Sequence, residues 1–175
     1  MTKVILLLRH AKSSWSDDEL SDHDRPLSRR GERAAALMAD FIAAKAPRPD
    51  LILCSTANRT RQTLAPLAKR LGEPSPPVSL ERSLYLASEE TLLERLHDLP
   101  SEVARVLLIG HNDGIGLLAE RLAGRGKVAA LLALQQKFPT GALAFLRAPI
   151  ERWPELAEGT AELRRFVRPR DLEGR

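Results

Sequence analysis

The sequence predicts an α/β fold, a three-layer α/β/α sandwich whose sheet is mostly parallel, with an antiparallel addition near the C-terminus. Residues 4–8, 51–53 and 106–109 are continuous apolar runs without polar alternation, as expected of strands covered on both faces. Each run is followed by a helical pattern, and strand-then-helix units build a parallel sheet with helices on both sides. The segments 142–146 and 162–167 differ from these units and read as two later, antiparallel edge strands, with Trp153-Pro154 in their connection.

The first helix follows from Ala34, Leu37, Met38, Phe41 and Ile42, which recur with helical spacing; Ser28 is placed to cap its start, and Pro47 and Pro49 end it. The second run is broken by Ser55-Thr56-Ala57-Asn58, after which Leu64, Leu67, Ala68 and Leu71 mark a second helix closed by Gly72 and Pro74-Ser75-Pro76-Pro77. A weak strand lies at 78–80 or at 84–87. Ser88 then caps a helix with Glu89 and Glu90 in its first turn and Leu92, Leu93 and Leu96 on one face. The run at 106–109 leads through Gly110-His111-Asn112 into a helix carrying Leu117, Leu118 and Leu122.

A chain of 175 residues with 43% hydrophobic and 29% charged residues is expected to fold as a single domain, residues 1–175, and is neither disordered nor membrane-spanning in character. The 27 Lys and Arg against 23 Asp and Glu are spread along the chain, and aromatics are only 4%, so no stacking platform for nucleic acid is built. The single cysteine, Cys54, fits a reducing compartment. The first apolar run stops at Arg9, too early for a secretion signal or a span. A cytoplasmic protein without nucleic-acid or membrane partners is the expectation.

Chemistry gathers at the carboxyl ends of the three strong strands. These ends share one edge of a parallel sheet, so Arg9-His10, Ser55 with Arg59 one turn on, and His111-Asn112 converge. Two guanidinium forks and a helix start suit a phosphoryl group. One histidine there can attack phosphorus while the other stabilises charge on the transferring oxygens.

These residues resemble the histidine phosphatase superfamily. Leu8-Arg9-His10-Ala11-Lys12-Ser13 is similar to the Arg-His-Ala-Lys-Ser form of its small SixA-like phosphohistidine phosphatases; Ser55, Arg59 and Thr63 match its Ser-x-x-x-Arg-x-x-x-Thr segment, and Gly110-His111-Asn112 its Gly-His-Asn. Leu84-Tyr85-Leu86-Ala87 and Pro139-Thr140-Gly141 also look like family segments, so the resemblance covers residues 4 to about 169. It implies a phosphoglycerate mutase-like fold, with His10 as the phosphorylated nucleophile and Arg9, Arg59 and His111 as the phosphate pocket, Ser13 and Asn112 as further binding residues, and no metal or cofactor. It also implies a substrate class: a phosphohistidine-bearing protein, such as a phosphorelay or phosphotransferase component, or else a small phosphate ester.

Two features depart from the wider pattern: Ala11 stands for a glycine, and Asp113 for a proline common in the small branch. The insertion that brings a Glu general acid in the phosphoglycerate mutases is missing by length. Glu81, in roughly the right region, is the candidate acid. An imidazole leaving group, with a pKa near 6.5, departs without such an acid where an alkoxide does not, which favours phosphohistidine as substrate.

Other readings fit less well. A cysteine phosphatase needs Cys-x5-Arg, and position 60 holds Thr60, so Cys54 reads as a small buried hydrophobe; a P-loop lacks its Gly-Lys ending. The acidic stretch 16–24 with His23 reads as a solvated loop rather than a metal site. A non-catalytic phosphate-binding module, or a nucleic-acid binder using Arg164, Arg165 and Arg170, is the alternative to an enzyme.

Overall fold

In the computed structural model, which describes residues 1–174, the first apolar run is β1 (Lys3–Arg9). Its side chains alternate between two cores: Ile5 and Leu7 enter one, Val4, Leu6 and Leu8 the other. An uninterrupted apolar strand is thus satisfied on both faces, each Leu or Ile contributing about 1.5–3 kcal/mol by leaving water. The next two runs are β2 (Leu51–Ser55) and, after the weak β3 (Val78–Glu81), β4 (Arg105–Gly110).

Among the described residues, seven strands run in the order β3-β2-β4-β1-β6-β7-β5, where β5 is Ala123–Gly126, β6 Leu143–Ala148 and β7 Ala161–Val167. The first four are mutually parallel, β6 is antiparallel to both β1 and β7, and β5 runs parallel to β7. The mixed α/β sheet is the one expected. Helices α1 (Arg29–Lys45) and α2 (Asn58–Leu71) supply Met38, Ala39, Ile42, Leu64 and Leu67 to one core. On the other face, α3 (Glu89–His97), α4 (Gly114–Leu122) and α5 (Val128–Gln136) supply Leu92, Leu96, Ile115, Leu118 and Leu134. A short α6 (Pro169–Leu172) follows β7.

Ser28 and Ser88 cap α1 and α3 as expected, accepting from the N–H groups of Gly31 and Thr91. The buried stripe of α1 sits one residue round from the expected one, through Gly31, Ala35, Met38, Ala39 and Ile42. Gly31 explains the turn: a Cβ there would stand 2.0 Å from the Lys12 carbonyl oxygen, so its lack of a side chain lets the helix lie against the chain just past His10. Of the two segments weighed for the weak strand, 78–80 pairs with β2, whereas Arg82–Leu84 is a 3-10 turn. Among the described residues, no helix is long and apolar enough to cross a membrane.

Candidate active site

Strand register assembles the site. Leu8 and Cys54 both pair with Ile109, so the following row contains Arg9, Gly110 and Ser55, and His10 and His111 stand one step beyond. The His10 main chain is clamped there, its N–H donating to the Gly110 carbonyl at 3.0 Å and its carbonyl accepting from Gly141 N–H at 2.9 Å. Gly141 has φ +77°, a conformation that costs glycine least, and this is why the turn before β6 carries one.

His10 is buried, and its Nδ1 donates to the Ala11 carbonyl at 2.7 Å. That bond fixes the tautomer: the hydrogen sits on Nδ1 and Nε2 carries the lone pair. Desolvation, reinforced by Arg59 and Arg9, lowers the His10 pKa to about 4, so the ring is neutral at pH 7. The His111 ring lies with its centroid 5.3 Å away, and burial and its cationic neighbours lower its pKa to about 3. Its Nε2 is 2.8 Å from Ser55 Oγ, which itself accepts from Ala57 N–H. In the tautomer in which the Ser55 hydroxyl donates to Nε2, His111 carries its hydrogen on Nδ1, a buried nitrogen with no protein partner among the described residues.

The two arginines are tethered by their tips. Arg9 Nη1 donates to the Phe138 carbonyl at 2.8 Å; Arg59 Nη1 and Nη2 donate to the Asp22 carbonyl at 2.6 Å and its carboxylate at 3.0 Å. Among the described residues, the Nε of each is buried without a protein partner, which leaves it an unused donor. Arg59, in the first turn of α2, is further fixed from behind: Thr63 Oγ1 donates to the Arg59 carbonyl at 2.7 Å and accepts from Ala11 N–H at 3.0 Å, coupling the chain just past His10 to the arginine. The resulting cleft, about 230 Å³, is lined by Arg9, His10, Arg59 and His111, with Ser13, Asn112 and Thr140 at its sides. Donors around a neutral imidazole are the equipment for phosphoryl transfer to nitrogen.

Comparison with known proteins agrees with this geometry. Residues 5–85 match the family model of the histidine phosphatase superfamily (branch 1). An uncharacterized protein of Mycobacterium tuberculosis is 39% identical over 165 residues, 93% of this chain and 100% of the relative. A candidate phosphohistidine phosphatase SixA from Agrobacterium tumefaciens is 32% identical, with a TM-score of 0.78, covering 94% of this chain and 97% of that one. The chain belongs to the histidine phosphatase superfamily, in its SixA-like branch. A second candidate SixA, from Nakamurella multipartitia, superposes with a TM-score of 0.80 at 29% identity, covering 97% of each chain. Membership makes this SixA-like chain a phosphatase.

Of the residues singled out in the sequence, Arg9, His10, Arg59 and His111 are brought together. Ser13 lines the SixA-like cleft but spends its oxygen on Arg25, whose Nη1 donates to it at 2.6 Å. Asn112 borders the cleft while its side chain donates to the Phe138 carbonyl and accepts from Gly116 N–H. Asp113 is exposed, and its charge acts favourably on Arg9. Cys54 is fully buried, with its thiol pushed up to about 12 by desolvation.

Glu81 is a correction. Its carboxylate forms a bidentate pair with Arg95 of α3, at 2.8–3.1 Å, and accepts from Ser79; these bonds hold its pKa below the usual carboxylate range. It does not line the cleft, and an ionised, paired carboxylate has no proton to give.

Sequence reasoning missed three supporting residues. Asp22, in the acidic loop read as merely solvated, binds Arg59, Arg25 and the Tyr85 hydroxyl, and these bonds hold its pKa well below the usual value despite partial burial. Tyr85 meets His111 edge-on at 5.3 Å. Arg25 is buried beneath the exposed Trp15 ring, 3.5 Å from its centroid. The Leu-Tyr segment was the available signal for Tyr85; nothing local marked Asp22 or Arg25.

Proposed function

We propose that the chain removes phosphate from phosphohistidine on a partner protein, a phosphorelay or phosphotransferase component of the cytoplasm, through a phospho-His10 intermediate. The observation that carries this is the His10 ring, neutral and locked with its hydrogen on Nδ1 by Ala11, leaving Nε2 free beside two arginines. In a protonated phosphohistidine, one ring nitrogen holds hydrogen and the other phosphorus. Nε2 of His10 attacks phosphorus in line as the P–N bond breaks; the electron pair stays on the substrate nitrogen, and a neutral imidazole departs. Arg9, Arg59 and the Nδ1–H of His111 spread the charge of the transferring oxygens. Water then attacks phospho-His10, both its hydrogens leaving with dihydrogen phosphate and the neutral His10 restored.

No step needs a general acid. Among the described residues, none lining the cleft carries a carboxylic acid, and the nearby Asp22 is held ionised by its three partners. An alkyl phosphate, whose alkoxide requires a proton as it leaves, is poorly served by such a site.

The test is phosphate release from a phosphohistidine-bearing protein and from an alkyl phosphate, with His10→Ala beside the wild type. The reading expects turnover of phosphohistidine at least about a hundredfold above the ester, abolished by His10→Ala together with an acid-labile phosphoenzyme. Equal turnover of both substrates, or activity surviving in His10→Ala, overturns it.

A further inference from the structure

A second cleft, about 1180 Å³, adjoins the first and shares Arg9, Lys12 and Thr140 with it. Its walls are α1, the end of α5 and the α6 region. They present Arg30 and Arg33 from one side and Lys137, Arg168 and Arg170 from the other, against Glu173 as the one acid lining it among the described residues. Arg168 is paired with Asp171 at 3.0 Å, whereas Arg30, Arg33 and Lys137 pair with no carboxylate of the described residues. Like charges facing each other across a gap repel, and an anion placed between them removes that repulsion.

We propose that this cleft docks an acidic segment of the substrate protein, whose phosphorylated side chain then enters the neighbouring phosphate site. The proposal rests on the preceding reading for its substrate and adds the surface that selects it. Its volume far exceeds what one phosphate fills. Leu37 and Leu172 lie between the cations, with Pro139 and Pro169 at the edges, so the lining matches acidic residues interspersed with apolar ones. Among the described residues, no aromatic side chain lines it, which leaves nucleobases without a stacking surface. Shared Arg9 and Lys12 connect the two clefts, so a segment lying in the larger one holds its own side chains at the mouth of the smaller.

The test uses the full chain and a fluorescein-labelled peptide of Glu-Asp-Leu repeats, read by fluorescence anisotropy, with an RNA oligonucleotide and tripolyphosphate as competitors. Wild type and His10→Ala are expected to bind the peptide equally. The double variant Arg30→Glu, Arg33→Glu and the separate Lys137→Glu are each expected to weaken binding at least about tenfold, and added NaCl to weaken it in wild type. Hydrolysis of p-nitrophenyl phosphate by the charge variants is expected to stay within about twofold of wild type, since none of these residues is placed in the phosphate site. Absence of peptide binding, equal binding by the charge variants, or stronger competition by RNA or tripolyphosphate than by unlabelled peptide overturns the docking role. Because the binding readout is independent of turnover, peptide binding without phosphohistidine hydrolysis refutes the substrate assignment and leaves the cleft's role standing.

Discussion

Asp22 grips Arg59 at two points, the carboxylate accepting from Nη2 at 3.0 Å and the main-chain carbonyl from Nη1 at 2.6 Å. The Arg59 side chain is 3% exposed and that of Asp22 42%, so a partly hydrated acid orients a buried cation. The carboxylate also takes Arg25 and Tyr85, which makes Asp22 the point where the acidic loop, α2 and the turn before α3 meet.

Replacing Asp22 by Ala removes the carboxylate and leaves the main-chain carbonyl alone to orient the guanidinium. The expected result is a 10- to 100-fold loss of kcat/KM, roughly 1.4–2.8 kcal/mol of transition-state stabilisation. Asp22→Asn, which keeps an acceptor oxygen, is expected to lose less. Steady-state kinetics of the two variants on one substrate check both statements.

Glu81→Gln separates the corrected assignment from the expected one. With the carboxylate serving only Arg95 and Ser79, the variant should hold kcat within about twofold and leave the pH-rate profile in place. Its effect belongs to stability, about 1 kcal/mol or less for a partly exposed pair. A pH profile that loses its alkaline limb in Glu81→Gln would restore the acid role.

The two histidines set a pH dependence whose sign follows from their lowered pKa values, about 4 for His10 and about 3 for His111. Below about pH 6.5 the unfolded chain takes up protons that the folded chain refuses, so stability falls as pH is lowered through this range. Each histidine contributes at most about 1.4 kcal/mol per pH unit, and each kcal/mol moves Tm by roughly 2–4 °C. Tm is therefore expected to drop between pH 7 and pH 5, and to drop less in His111→Asn. Activity is expected to behave differently: the acid limb of kcat/KM should follow His10 near its lowered pKa rather than near 6.5. Asp22, held low, loses its stabilising contribution as pH falls through the ordinary carboxylate range and below it, where the unfolded chain takes up the proton the folded one refuses.

The elements legible in the sequence were those whose signal is local. Three apolar runs, two serine caps and the charged residues at the strand ends were enough to bring His10, Arg59 and His111 to one edge. The strand β5 was not legible, because Ala123-Gly124-Arg125-Gly126 has no strand former and becomes a strand only by pairing with β7 across a bulge. Helix α5 was hidden by the opposite fault: its Val-Ala-Ala-Leu-Leu-Ala-Leu stretch is apolar on every side and shows no stripe. In the site, Asp22 and Arg25 carry no periodicity, and their partners lie up to 63 residues away. Glu81 misled for a related reason: it ends a strand at the right edge, but Arg95, brought near by α3, captures it.

The 3-10 turn at Asp22–Asp24 contributes no buried residue to either core. It is held by the polar side chains it organises, with Asn58 donating to the Asp24 carbonyl and His23 bonded to Thr56. A segment of this kind opens at little cost to the rest of the molecule. Catalytic competence and global folding are therefore expected to separate on warming, with activity falling at temperatures below the one at which the sheet unfolds.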